Sequence, residues 1–197
     1  MKKTFIVLAL ICANIFSVSA EIPSNPQFSA DMVMTHKGKQ TSSGKVFMGT
    51  QAMRMEIDMD GKPQVQIMRF DKDIMWSVMK DEGMYMQMPL KFNALANYKM
   101  EGQKENCATG ETIDGHPTQR CEVEGKFGGK KVKSVVWKAT DLQNIGIKTS
   151  DEKGANITEL KNIKKGPQPT SLFAEPTGLK KMDMKKGLGD LLKGLGG

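Results

Sequence analysis

Residues 53–70 read MRMEIDMDGKPQVQIMRF, and this stretch decides the fold. Apolar side chains at Met53, Met55 and Ile57 alternate with charged ones, which is the period of a half-buried strand. The Asp60-Gly61 pair favours a tight hairpin turn, and a second apolar run from Gln64 to Phe70 follows it. The stretch therefore predicts an antiparallel hairpin with one apolar face and one solvated face.

Short strands separated by glycine-containing turns are predicted along the rest of the chain. They are expected at 27–36, 45–48, 73–80, 84–88, 106–113, 117–127, 131–139, 144–149 and 156–164. Strand 73–80 has Trp76 on one face and Met75 on the other, so we expect it to be covered on both sides. Residues 90–100 fit either a short helix or an irregular loop. Long crossover helices are missing, so the pattern predicts a mainly β fold, an antiparallel meander.

The ends of the chain differ in composition from its middle. Lys2 and Lys3 precede an apolar run and then small residues ending at Ala20, so residues 1–20 are predicted to be a secretory signal peptide. Residues 21–182 are expected to form a single periplasmic domain. Residues 183–197 combine lysines with leucines at helical spacing and with several glycines, and are expected to be a flexible, basic, amphipathic tail. Such a tail would make at most weak contact with a membrane surface.

Two cysteines, Cys107 and Cys121, remain after the predicted cleavage. If residues 113–115 form a three-residue hairpin loop, Thr112 faces His116 and the register places Cys107 directly opposite Cys121. In an oxidising compartment this pair is expected to form a disulfide. Two buried free thiols are the alternative.

Several local phrases, together with the order of the elements, resemble one known superfamily. They are FSADM (28–32), IDGHPTQRC (113–121), VWKATDL (136–142), SLF (171–173) and PTGLKK (176–181). Over residues 27–182 the chain resembles the periplasmic lipoprotein-carrier (LolA/LppX-like) superfamily, in an uncharacterised exported branch. The resemblance implies a curved antiparallel sheet that forms an incomplete β-barrel, with one or two short helices, around a hydrophobic cavity. It also implies that the partner is a lipid or a lipoprotein acyl chain.

Methionine is the most unusual component, with 16 in 197 residues, many of them at every second position. Alternate positions on a strand share a face, so these thioethers are expected to line one soft apolar surface. We predict that they line the ligand cavity of the half-barrel; the alternative is that they only fill the core. The predicted lining residues are Met32, Met34, Met53, Met55, Ile57, Met84, Met86 and Met88.

A second hypothesis is a copper site formed by Met32, Met34 and His36 on one strand face. Thioether and imidazole ligands favour the soft ion Cu(I). Without such a site, no cofactor is expected. A third hypothesis is an envelope-associated structural protein that has no ligand.

Other classes of function are not supported by the sequence. The chain shows no nucleophile-elbow phrase, no histidine-rich zinc spacing and no phosphate loop, so an enzyme is not expected. The formal charge of +7, which falls to +5 without Lys2 and Lys3, is spread among acids, which argues against nucleic-acid binding. We expect a monomer.

Overall fold

A computed structural model describes residues 25–59, 61–90, 101–127 and 130–182. The predicted signal peptide, most of the predicted 90–100 helix or loop and the predicted tail lie outside these residues. The strands are β1 (Phe28–His36), β2 (Lys39–Gly49), β3 (Ala52–Met59), β4 (Lys62–Arg69), β5 (Ile74–Met79), β6 (Met84–Pro89), β7 (Glu101–Thr109), β8 (Thr118–Phe127), β9 (Lys130–Ala139), β10 (Ile145–Asp151), β11 (Asn156–Lys165) and β12 (Lys180–Met182). Short 3-10 turns cover Phe70–Lys72, Lys80–Glu82, Thr140–Leu142 and Thr170–Phe173.

These strands form one sheet in the order β12-β6-β5-β4-β3-β2-β1-β11-β10-β9-β8-β7. Strands β7 and β12 lie at opposite ends of this order, so the sheet formed by the described residues is open. It curves around one apolar cluster that includes Met68 on β4 and Ala139 on β9. The prediction of a mainly β, curved, incomplete barrel is therefore confirmed. Within the described ranges, no helix is long and apolar enough to cross a bilayer.

The connectivity differs from a single meander in two ways. Two meanders, β1 to β6 and β7 to β11, are joined by antiparallel pairing of β1 with β11, in which Met32 lies opposite Leu160. In addition, β12 pairs with β6 in parallel, with Met182 beside Met86. Both pairings join segments that are far apart in sequence, so they depend on burial of the sheet faces and not on a local turn.

Cross-strand register assigns the two faces of the first meander. Met53 lies opposite Met68, and both belong to the main cluster. The neighbouring pair, Arg54 and Ile67, lies on the other face. Central strand β5 contributes to both faces, since Trp76 is buried in a second cluster while Met75 packs against the first. The predicted double coverage of this strand is thus only partly observed, because its Trp76 face is buried and its Met75 face is half-buried.

The second face of β3 to β6 is covered by the segment that precedes β12. Phe173 is buried against this face, and its ring lies where a side chain on Gly49 would be. The guanidinium groups of Arg54 and Arg69 donate hydrogen bonds to the carbonyl oxygens of Leu172 and Phe173, each at 3.2 Å. This side of the sheet is therefore closed by the chain itself.

The predicted disulfide is present between β7 and β8. Cys107 lies directly opposite Cys121, with their Cα atoms 4.0 Å apart. The tip of the hairpin differs from the prediction, since Ile113 and not Thr112 pairs with His116. The turn therefore has two central residues, Asp114 and Gly115, both with positive φ, at 51° and 80°.

Candidate ligand-binding face

A row of methionines crosses five adjacent strands on the face that carries the main cluster. Met48, Met53, Met68, Met75 and Met88 are consecutive cross-strand partners from β2 to β6. Residues directly opposite one another share a face and contact their neighbours. The register therefore aligns thioethers that are as far as 40 positions apart in the sequence.

Exposure increases along this row toward the β6 end. Met48 and Met53 are fully buried and Met68 is 5% exposed, whereas Met75 and Met88 are only half-buried. The row thus begins in the core and ends at a surface that other molecules can reach. A side chain in the core contributes packing, and a half-buried one can also contact a ligand.

The exposed end of the row is part of a wider apolar surface, which we call the methionine patch. On this face Met75 pairs with Met88, Ser77 with Met86, and Met79 with Met84. The patch consists of five half-buried residues, Met75, Met79, Met84, Met86 and Met88. Flexible unbranched thioethers can repack around irregular apolar shapes, so this surface is suited to a hydrophobic ligand.

The structure divides the eight predicted lining residues into two groups. Four lie in the core, Met32, Met53, Met55 and Ile57, with exposures between 0% and 3%. Four are half-buried, Met34 on β1 and Met84, Met86 and Met88 on β6. Their role in binding stays a prediction. Sequence reasoning missed Met75 and Met79, whose only signal was their alternation with buried Trp76 and Val78.

The residues of the copper hypothesis lie along β1 in very different environments. Met32 is fully buried and Met34 is half-buried against the core. His36 is exposed, and its Nδ1 lies 2.8 Å from Oδ1 of Asn156. Copper binding at this place stays a prediction.

A separate cavity of about 510 Å³ lies against β7, β8 and β9, away from the methionine patch. Its lining is mainly charged and polar, and several of the lining side chains form ion pairs. Lys133 lies 3.2 Å from Glu152, and Glu105 forms an ion pair with Lys138 at 2.5 Å. Because several of the charged side chains that line this cavity are already paired, we place no ligand there.

A charged cluster fastens the turn after β9 to β11 and to the β7–β8 hairpin. Asp141 lies 2.5 Å from Nζ of Lys165 and 2.9 Å from Nδ1 of the buried His116. The hydrogen bond from Lys165 lowers the pKa of Asp141, and the hydrogen bond from His116 lowers it further. At the hairpin tip Asp114 accepts hydrogen bonds from the backbone N–H groups of Asn162 and Ile163. These contacts fasten the β7–β8 hairpin and the turn after β9 to β11, within the second meander.

Comparison with known proteins gives a family and a fold. The family described as "Domain of unknown function (DUF4412)" matches residues 29–147. No curated protein matches the chain. Among solved structures, an uncharacterised conserved protein from Thermus thermophilus is 10% identical, with a TM-score of 0.56 over 89% of this chain and 98% of that chain.

A second solved structure is lipoprotein LppX of Mycobacterium tuberculosis, which is 15% identical. It aligns with a TM-score of 0.46 over 85% of this chain and 98% of that chain. At these identities the matches concern the fold alone.

Proposed function

The chain belongs to the DUF4412 family of unknown function, and we propose that it is an exported protein that binds a lipid or acyl chain at the methionine patch. The observation that carries this proposal is the change in exposure along the methionine row. Met48 and Met53 are fully buried in the core, whereas Met75 and Met88 are half-buried at the β6 end. A ligand lying on the patch would extend the same apolar surface.

The chemistry of the patch favours an alkyl chain over a flat or polar ligand. Its five thioethers are flexible, and Ser77 lies between them opposite Met86. Burial of one methylene is worth about 0.8 kcal/mol, so roughly eight to ten methylenes would offset most of the cost of association. The patch has few polar groups with which to select a headgroup, so we infer broad specificity for the acyl chain.

Export is supported by two independent features of the chain. Residues 1–20 have the composition of a secretory signal peptide. The Cys107–Cys121 disulfide is a bond that persists in oxidising compartments. We therefore place the protein in the periplasm, where lipids and lipoproteins pass between membranes.

We propose a binding role and assign no catalytic residue. His116 and Asp141 have the geometry of a base and the group that orients it, with Nδ1 to Oδ2 at 2.9 Å. In this chain, however, the pair is engaged with Lys165 and holds the turn after β9 in place. A structural role accounts for these contacts.

Cu(I) binding is a second candidate, now at the methionine patch. Met84, Met86 and Met88 lie on one face of β6, and Met75 and Met79 lie opposite two of them. Several thioethers on adjacent strands are a soft ligand set that would favour Cu(I). If the patch binds copper, and does so whether or not a lipid is present, this candidate is supported over the first.

Fluorescence titration with a fluorescent fatty acid tests the proposal. In the test variant Met84, Met86 and Met88 are all changed to glutamine, which keeps their length but makes them polar. The matched control changes Val33 and Val135, also half-buried, to threonine.

We expect the methionine variant to lose at least tenfold in affinity and the valine variant to bind like the wild type. Circular dichroism and thermal unfolding verify that both variants are folded. Equal binding by the two variants, or no binding by the folded wild-type protein, would contradict the proposal.

A further inference from the structure

The methionine patch gathers oxidisable thioethers on one accessible surface. It consists of Met75, Met79, Met84, Met86 and Met88, all half-buried on two adjacent strands. We propose that these five methionines are a modification site for peroxide or hypochlorous acid, and that their conversion to sulfoxides releases the hydrophobic ligand. This inference concerns regulation of the same site and rests on the proposed function.

Each modification is the transfer of one oxygen atom to the Sδ atom of a methionine. With hydrogen peroxide, a sulfur lone pair attacks one peroxide oxygen, the O–O bond breaks, an S–O bond forms and water leaves. The sulfur loses two electrons and the peroxide gains them. With hypochlorous acid the same transfer releases chloride and a proton. The product is a polar sulfoxide, which methionine sulfoxide reductases convert back to the thioether.

Burial divides the methionines of this sheet face into two groups that should differ in reactivity. The methionines of the core are Met32, Met48, Met53, Met55 and Met68, with exposures between 0% and 5%. Met68 lies directly opposite the half-buried Met75, so the change from core to surface occurs between two neighbouring strands. Because an oxidant must contact the sulfur atom, we expect chemically identical side chains on one face to react at different rates.

Sulfoxides on the patch would oppose binding of an alkyl chain. Met84 to Met88 extend over about 13 Å of strand and the neighbouring strand adds about 5 Å in width, so one chain would cover several positions at once. A sulfoxide oxygen accepts hydrogen bonds from water, and an alkyl chain that covers it removes this water and donates nothing in return. The penalty for a buried polar group without a partner corresponds to about a tenfold loss of affinity for each sulfoxide that is covered.

The fold should survive modification of the patch. None of the five methionines is among the buried residues of the main cluster, although Met75 packs against it. Strand β6 is also held from its other face, where the hydroxyl of the buried Tyr85 donates a hydrogen bond to Glu175 at 2.7 Å. Nζ of Lys181 on β12 donates to the same carboxylate at 3.2 Å. We therefore expect loss of binding to precede any loss of structure.

Stepwise oxidation with hydrogen peroxide tests the inference. After each dose, peptide mass spectrometry measures sulfoxide at each methionine, fluorescence titration measures affinity for the fluorescent fatty acid, and thermal unfolding measures Tm. We expect the patch to oxidise several-fold faster than the fully buried Met32 and Met53, and affinity to fall at least about tenfold with little change in Tm. Treatment with methionine sulfoxide reductases should restore the affinity. Equal oxidation rates in the two groups, or unchanged affinity after oxidation of the patch, would overturn the inference.

Two variants, each titrated before and after peroxide, assign the effect to the patch. The first replaces the patch with leucine, which is apolar, similar in volume and inert to peroxide; it combines Met75→Leu, Met79→Leu, Met84→Leu, Met86→Leu and Met88→Leu. The control, Met34→Leu, removes a half-buried methionine on β1 outside the patch. Whatever its starting affinity, the leucine patch should keep it after treatment, whereas the control should lose affinity as the wild type does. The reverse pattern would overturn the inference. If the leucine patch does not fold, the wild-type dose series decides, because the loss of affinity must follow sulfoxide at the patch and not at Met34.

Binding by the untreated protein distinguishes failure of this inference from failure of the proposed function. Fatty-acid binding that is present before treatment and continues unchanged after the patch is oxidised would refute the inference and leave the proposed function intact. No binding by the untreated, folded protein would refute the proposed function and, with it, the release of a ligand by oxidation.

Discussion

Replacement of both bridge cysteines by alanine tests how the edge strand β7 is held. Among the described strands, β7 pairs only with β8, and its residues from Gly102 to Thr109 are exposed. Side-chain burial therefore contributes little to its attachment. We expect the Cys107–Cys121 bond to supply much of the stability of this end of the sheet.

The size of the effect follows from the loop that the bond closes and from the burial of Cys121. The cysteines are separated by 14 positions, and a loop of about 15 residues corresponds to about 3 kcal/mol in the chain-entropy treatment. Cys121 is fully buried beside Val123 and Val136, so alanine there also leaves a small cavity. We expect a total loss of about 3 to 4 kcal/mol, or roughly 6 to 15 °C in Tm for a chain of this size.

Urea unfolding of the oxidised protein, the reduced protein and the double alanine variant measures this loss. Reduction and replacement should destabilise the protein by similar amounts, and amide exchange should accelerate first in β7. Thr109→Ala, an exposed change on the same strand, should alter stability by less than about 0.5 kcal/mol. A loss below about 1 kcal/mol in the double variant would refute the reasoning, because it would mean that packing alone holds this edge.

Three further predictions concern the core and the charged cluster. A Cβ on Gly44 would overlap the backbone of β3, so Gly44→Ala should cost about 1 to 3 kcal/mol in urea unfolding; an unchanged midpoint would contradict this close approach. Met53→Ala should cost about 2 to 5 kcal/mol and Met88→Ala much less, since only Met53 is fully buried; equal costs would contradict the change in exposure along the row. The hydrogen bond from Lys165 holds the pKa of Asp141 below its usual range. The stabilisation that the ionised Asp141 carboxylate gives to the folded protein is therefore present above about pH 4 and is lost as the pH falls through the lowered pKa. Unfolding free energies at about pH 6 and about pH 3 should therefore differ less in Lys165→Gln than in the wild type, and an equal difference would contradict this account.

Local patterns in the sequence were enough to predict the hairpins. The alternation at Met53, Met55 and Ile57 correctly assigned the buried face of β3, because a period of two fixes which side chains share a face. The predicted pairing of Cys107 with Cys121 is confirmed, although the three-residue turn from which it was derived is not, because the register shifts by one residue between the Thr109–Gln119 and Ile113–His116 pairs.

The hairpin tip was predicted wrongly, and its observed conformation is stabilised by a distant strand. The carboxylate of Asp114 accepts hydrogen bonds from the N–H groups of Asn162 and Ile163 on β11, at 3.0 and 2.6 Å. This contact stabilises the two-residue turn in which Ile113 pairs with His116. The Asp114-Gly115 pair, like Asp60-Gly61, also favours a two-residue turn, so the local sequence carries part of this information.

The binding face could be predicted only in part for the same reason. Periodicity places Met53 and Met88 on an apolar face, but it does not tell which of them other strands will cover. That depends on the pairing of β1 with β11, which places Met53 deep in the core, while β6 lies near the open end of the sheet. The parallel pairing of β12 with β6, which brings Met182 beside the patch, has no local signal either.

Native mass spectrometry of the protein, purified gently from the periplasmic fraction of the cells that produce it, tests the central claim most directly. Paired denaturing spectra verify cleavage near Ala20 and the Cys107–Cys121 bond. We predict a lipid-sized adduct that is present under native conditions, lost on denaturation and reduced in the variant with glutamine at Met84, Met86 and Met88. A protein that carries no adduct and takes up no fatty acid when it is offered, or one that carries only copper, would contradict the account.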